Sequence, residues 1–244
     1  MTTDSIEAAE KLHAVRQAID RAARLTDRTA ADINLIAVSK TQEADAIRPL
    51  IDAGQRVFGE NRVQEAQAKW PALREQTPDL SLHLVGQLQS NKAAEAVALF
   101  DVIHSLDRPS LLSALARAMD AAGKRLPCFI QVNIGAEEQK GGCPIADTAA
   151  LIRSARDADI PLLGLMCVPP ADVEPAPYFA LLAKMAREEG LARLSMGMSG
   201  DYETAIMLGA TDIRVGTALF GERPSAARPV PASGRGMIRN SRAG

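Results

Sequence analysis

Aromatic side chains are scarce in this 244-residue chain, which has one Trp, two Tyr and five Phe. So few π-faces leave little on which unpaired bases could stack, and this argues against a single-strand nucleic-acid binder. An excess of one charge is also missing. Lys and Arg total 28 against 30 Asp and Glu, a formal net charge of −2, so no long-range field draws the chain toward nucleic acid or anionic lipid. Cysteine is limited to Cys128, Cys143 and Cys167, widely spaced and without a C-x-x-C pair. That spacing excludes a disulfide scaffold, argues against a zinc cage and fits free thiols in the cytoplasm. No apolar run approaches the ~20 residues of a membrane-spanning helix. The N-terminal stretch carries Asp4 and no apolar core, so it reads as part of the mature fold, not as a signal or transit peptide.

What is present is an ordinary folded composition, 47% hydrophobic and 24% charged, at a length common for one α/β barrel. Leu12, Val15, Ile19 and Ala22 recur at helical spacing and predict an opening helix from about residue 5 to 25. Short β-rich runs then follow one another: INLIAVS, RVFG, LHLVG, DVIHSL, CFIQVNI, LLGLMCV, ARLSMG and DIRVG. Helical segments such as EADAIRPLIDAG, NRVQEAQAKWPALR and SLLSALARAMDAAG lie between them, several closed by a Gly at the C-cap position. Eight such units without a linker-like break predict a single (β/α)8 TIM barrel over residues 1–224, although an open doubly wound sheet shares the alternation. Pro49 lacks an N–H and is expected to kink or shorten the second helix. After Arg223 the chain turns to PSAARPVPASGRGMIRNSRAG, which has little apolar periodicity, and residues 225–244 read as a frayed tail.

A parallel barrel carries its functional groups at the C-terminal ends of its strands. The polar residues falling there are Ser39, Lys40 and Thr41, then Glu60 and Asn61, Gln87, His104 and Ser105, Asn133, Met198 with Ser199, and finally Arg214, Gly216 and Thr217. Lys40 follows the run IAVS directly. Partial desolvation at a barrel mouth favours a neutral amine, the form that attacks an aldehyde; by position alone, a lysine snorkelling at the surface is the commoner case. Ser199-Gly200 and Gly216-Thr217 lie where barrels build phosphate sites from backbone N–H groups and hydroxyls, although plain turn residues would also fit. Arg214 by position reads as a strand-end ion pair with Asp212 or Glu222. No P-loop occurs, and Asp201 breaks a G-x-S-x-G elbow. His13, His83 and His104 match no metal spacing and read as structural histidines.

The segments IAVSKTQEADAIRPLIDAGQRVFGENRVQEAQAKWPAL, HLVGQLQSNK, IHSLDR, QVNIGAEEQKGGC, GLMCVPP and LSMGMSGDYETAIMLGATDIRVGTALFGER resemble the pyridoxal phosphate homeostasis protein family. The match runs from about Asn34 to Arg223. The resemblance implies a barrel like the N-terminal domain of alanine racemase, with pyridoxal 5′-phosphate held by Lys40 as an internal aldimine. It further implies that Ser199, Gly216 and Thr217 take the phosphate, that Arg214 faces the pyridine nitrogen, and that Asn61 lies beside the ring.

A cation opposite the ring nitrogen opposes its protonation and makes the ring a poorer electron sink, so the cofactor would be held more than activated. The two tyrosines, Tyr178 and Tyr202, fall in predicted helices, and neither is a natural second base for racemisation. The expectation is therefore a cytoplasmic, monomeric protein that buffers or delivers pyridoxal 5′-phosphate, with apo-enzymes as recipients. An amino-acid racemase of weak activity is the alternative, and a Schiff-base aldolase a more distant one by fold analogy. Lys140, on a glycine-flanked loop, is a second amine that could receive or release the aldehyde; most such lysines are solvated loop charges.

Overall fold

In a parallel barrel each strand is covered on both faces, by the barrel interior and by helices, so its strands read as near-continuous apolar runs. The β-rich runs of this chain form such strands in a computed structural model, which describes residues 3–221. They are β1 (Asn34–Val38), β2 (Val57–Glu60), β3 (Ser81–Leu84), β4 (Val102–Leu106), β5 (Cys128–Val132), β6 (Leu162–Cys167), β7 (Arg193–Ser195) and β8 (Asp212–Val215). All neighbours pair in parallel and in sequence order. β8 returns to β1 from Asn34↔Asp212 to Ala37↔Val215, which closes the barrel and excludes the open sheet. The tail expected over 225–244 lies outside the described residues, as does Glu222.

The helices are α1 (Thr3–Arg24), α2 (Ala44–Asp52), α3 (Val63–Gln76), α4 (Ala93–Leu99), α5 (Pro109–Ala122), α6 (Ile145–Asp157), α7 (Ala176–Glu188), α8 (Tyr202–Met207) and α9 (Thr217–Phe220). α1 buries Leu12, Val15, Ile19 and Ala22 and packs on α2 and α8. None of these helices is long and apolar enough to cross a membrane.

Of the two effects expected of Pro49, a kink or a shortening, the shortening does not occur, and the helix runs through it to Asp52. The carbonyl that loses its partner belongs to Asp45, in the exposed first turn, where water can take the place of the missing N–H. Pro71 sits inside α3 in the same way, with the affected carbonyl on exposed Gln67.

β7 is shorter than its apolar run because Gly197 adopts φ +96 and turns the chain out of the wall. A Cβ at Gly197 would lie 2.6 Å from the Ala205 Cβ, so this exit, which carries Met198–Gly200 over the mouth, depends on glycine in two ways. Gly164 sets a second close approach, between β6 and β7: a Cβ there would overlap the Arg193 carbonyl oxygen. Overpacking usually costs about 1–3 kcal/mol and more against rigid backbone. Gly164→Ala is therefore expected to lower stability by at least about 3 kcal/mol, measured by denaturant unfolding; a wild-type midpoint would refute this constraint.

Candidate functional site

The C-terminal ends of the strands surround a cavity of about 430 Å³, within the range of small-molecule sites. Lys40, Asn61, Ser199, Arg214, Gly216 and Thr217, chosen from sequence, all line it. Thr41 and Met198 of the expected polar ring line it as well, and the rest of that ring does not. Glu60 turns into the wall, Ser105 is buried, and Gln87 donates to Gln131 Oε1 at 2.6 Å beside the loop after β5. The cavity therefore lies to one side of the mouth, over β7, β8, β1 and β2, with Val38, Val85 and Val168 as apolar wall. Among the described residues its lining holds two cations, Lys40 and Arg214, and no carboxylate, an anion-selective composition in a chain of net negative charge.

Lys40 lies in a turn that leaves β1, closed by the Gln42 N–H donating to the Ser39 carbonyl at 3.0 Å. The next residue, Thr41, has φ +64, an uncommon conformation for a β-branched residue and one held by its surroundings. Lys69 of α3 supplies the hold. Its Nζ donates to the carbonyls of Ser39 and Gln42, both at 2.9 Å, one on each side of Lys40-Thr41. It also pairs at 2.8 Å with Oε1 of the fully buried Glu60. The same oxygen accepts from Ser39 Oγ at 2.6 Å and Trp70 Nε1 at 3.0 Å. Among the described residues Lys40 Nζ has no hydrogen-bond or ion-pair partner, and it lines the cavity.

At the other side, Ser199 Oγ receives the N–H groups of Gly216 at 3.2 Å and Ala218 at 3.4 Å. Two amides, the hydroxyls of Ser199 and Thr217, and the open backbone at Gly200, where a Cβ would meet nothing within 4 Å, form a donor-rich corner. Arg214 is buried on β8. It donates to Ser195 Oγ at 2.7 Å and to the Cys167 carbonyl at 2.8 Å. Burial lowers its pKa from the usual arginine value. The alternative role for Arg214, an ion pair with Asp212, is ruled out because Asp212 is taken by Arg193 in a two-point pair and by Asn34.

The remaining candidates fall elsewhere. His13 is on the exposed face of α1, bonded to Gln17. His104 does not reach the cavity; it is buried inside the barrel against His83. Lys140 pairs with Glu137 and donates to the Pro169 carbonyl at 3.2 Å, away from the cavity lining. Tyr178 lies in α7 and Tyr202 opens α8, and neither lines the cavity. Sequence reasoning did not single out Lys69, Trp70 or Ser195. No spacing rule pairs residue 69 with residue 60, because their contact depends on how α3 folds back on β1 and β2.

Residues 11–224 match the family model described as alanine racemase, N-terminal domain. A pyridoxal phosphate homeostasis protein of Pseudomonas aeruginosa is 39% identical over 221 residues, covering 88% of this chain and 95% of the relative. Its counterpart in Aquifex aeolicus is 37% identical over 228 residues, 89% and 99% of the two chains. PipY of Synechococcus elongatus, solved with PLP bound, is 40% identical with a TM-score of 0.77, covering 88% of this chain and all of that one. An alanine racemase of Clostridium difficile shares the fold alone, at 16% identity and a TM-score of 0.63 over 80% of this chain and 53% of the racemase. With a closed barrel, a matching family model and relatives aligned over almost their whole length, this chain belongs to the pyridoxal phosphate homeostasis protein family.

Proposed function

We propose that this protein binds pyridoxal 5′-phosphate at Lys40 and serves its homeostasis by buffering the cofactor or delivering it to apo-enzymes. The observation that carries this reading is the cavity lining, which among the described residues holds an unpartnered lysine, a buried arginine and a donor-rich corner, with no carboxylate. That donor set fits a phosphorylated aldehyde. PipY, the relative solved with PLP bound, supports the same choice.

When bound, the cofactor supplies an aldehyde that condenses reversibly with a primary amine. This chain's residues would divide the work of holding it. Lys40 presents the amine, and Lys69 keeps the turn that carries it. Ser199, Thr217 and the amides of Gly216 and Ala218 would take the phosphate, and Asn61 would lie beside the ring. Arg214 would stand at the ring nitrogen, where a fixed positive charge opposes a proton on that atom. Among the described residues the cavity lining offers no tyrosine, histidine or carboxylate as a second base, and a reaction that moves protons on both faces of a substrate needs one. The cytoplasm is the proposed compartment, consistent with the buried free thiols of Cys128, Cys143 and Cys167, and a monomer is the proposed state.

Borohydride reduction of the loaded protein followed by peptide mass spectrometry is expected to place the label on Lys40. A label found chiefly on Lys140 or Lys92 overturns the assignment. Lys40→Ala should fold as the wild type and take no label.

Ser199→Ala and Thr217→Ala should each weaken retention of the phosphorylated cofactor by about 1.5–3 kcal/mol without preventing attachment. Equal affinity for pyridoxal and its phosphate would rule out the phosphate corner. Lys69→Met leaves Glu60 buried without its cation and should destabilise the fold by about 3–5 kcal/mol, seen as a lower denaturant midpoint together with slower attachment at Lys40. If the midpoint is unchanged, Lys69 does not hold the turn.

Incubation of loaded protein with L-alanine in heavy water should give little deuterium at Cα and still less D-alanine. Turnover in the ordinary enzyme range of about 1–10³ per second would contradict the carrier reading. Restoration of an apo pyridoxal-phosphate enzyme by the loaded protein tests delivery.

A further inference from the structure

Arg214 is a buried cation with no carboxylate at salt-bridge distance among the described residues. Behind the serine that receives its NH1, a line of polar groups runs down the barrel interior away from the cavity. Ser195 Oγ lies 2.8 Å from His104 Nδ1, His104 Nε2 lies 3.0 Å from His83 Nδ1, and His83 Nε2 lies 3.2 Å from Ser81 Oγ. Ser81 opens β3 at the opposite end of the barrel from the cavity. None of these side chains lines the cavity, and the binding scheme above uses none of them directly.

The hydrogen bonds along this line have one consistent direction. Arginine has donors only, so Ser195 Oγ must accept from Arg214. Ser195 Oγ has a second lone pair, but among the described residues its own proton has no acceptor other than His104 Nδ1, so the arrangement that leaves no buried donor unpaired has Ser195 donating to His104. His104 must therefore carry its proton on Nε2, which donates to His83 Nδ1. His83 in turn carries its proton on Nε2 and donates to Ser81 Oγ. Each ring is neutral, with one donor and one acceptor, and a protonated ring would present a donor where the line needs an acceptor.

The surroundings favour neutral rings. Burial is the main cause for both. It carries His83 down to about 4, aided by Arg193 and Arg74 and only partly opposed by Asp212 and Asp101. His104 is held well below the usual value by burial and then by His83, Arg214 and Arg193. The His104 ring is also fixed by packing, stacked on Phe129 with centroids 4.4 Å apart.

We propose that Ser195, His104 and His83 are positioning residues, which hold the Arg214 guanidinium at the cavity wall through a one-way hydrogen-bond chain anchored at the far end of the barrel. Without the chain, a long cationic side chain bonded only to the Cys167 carbonyl would be free to take other rotamers. The effect on bound cofactor rests on the reading of the cavity given above; the chain itself does not.

Nitrogen NMR of histidine-labelled protein without cofactor tests the chain directly. The sequence has three histidines, and exposed His13 serves as the internal control. His83 and His104 should both be neutral with the proton on Nε2 at pH 6, where a solvated histidine, with a pKa of about 6.5, is largely protonated. A proton on Nδ1 of His104, or a charged ring at either position, overturns the proposal.

In the loaded protein, Ser195→Ala should shift the absorption band and release cofactor about tenfold faster, the loss of one hydrogen bond to a charged group, with Lys40 still fully labelled. His104→Phe keeps the stacking and should reproduce the shift. His104→Asn keeps an acceptor at the Nδ1 position and should restore the band. A wild-type band and release rate in Ser195→Ala overturns the positioning role. Should His104→Phe fail to fold, Ser195→Ala, which removes one oxygen, still decides it. If the wild type takes no label at Lys40, the cofactor reading fails and the NMR experiment alone decides the chain.

Discussion

The buried carboxylate of Glu60 is the contact on which the site depends. One of its oxygens receives a lysine, a serine and a tryptophan, and these come from α3 and from the turn after β1. A carboxylate taken out of water must be compensated by donors and a cation, so wherever Glu60 goes, Lys69 and Trp70 must follow. Lys69 then has two further protons, which cap the carbonyls on either side of Lys40-Thr41. In this way a requirement of burial inside the wall becomes a requirement on the backbone that carries Lys40. Among the described residues Lys40 itself is left without a partner, at the cavity wall.

The barrel interior treats the half-buried Arg193 and the buried Arg214 differently by the same principle. Arg193, toward the floor, is fully matched by Asp212 and lies over the Phe129 ring at 5.5 Å. Arg214, toward the mouth, meets a hydroxyl and a carbonyl instead of a carboxylate. Neutral acceptors orient a guanidinium without cancelling its charge, so the field at the cavity stays positive. A carboxylate beside Arg214 would have stabilised the arginine better and served an anionic ligand worse.

Much of the fold was legible because each strand and helix has its own local signal. The β-rich runs ended within two or three residues of where the strands end, and glycines such as Gly123, in the left-handed conformation at φ +60, closed helices where expected. That Pro49 leaves α2 at full length was not legible, because its effect depends on whether the carbonyl four residues earlier is buried or wet, and exposure is not a local property. Lys40, Asn61, Ser199, Arg214, Gly216 and Thr217 were singled out because a barrel puts strand ends at one mouth and because their motifs resemble a known family, and all of them line the cavity. Glu60, Gln87, Ser105 and Asn133 were assigned to the same mouth by the same rule and do not line the cavity. A strand end gives the position of a residue along the barrel axis; whether its side chain points inward, outward or across depends on the pleat and on its neighbours.

The sequence by itself determined the alternation of strands and helices, and with it a barrel whose polar strand ends gather at one mouth, because periodicity and turn chemistry act over a few residues. It also determined the family, through blocks such as SMGMSGDYETAIMLGATDIRVGTALFGER. Only the tertiary structure decided which strand ends share a cavity, that Lys69 holds the turn of Lys40, and that Ser195, His104 and His83 line up behind Arg214. Ser195 and His104 are 91 residues apart in the chain, and their contact exists only once the barrel has closed and brought β4 and β7 across its interior. Burial and the pairing of charges are properties of the closed fold, and no local stretch of residues carries them.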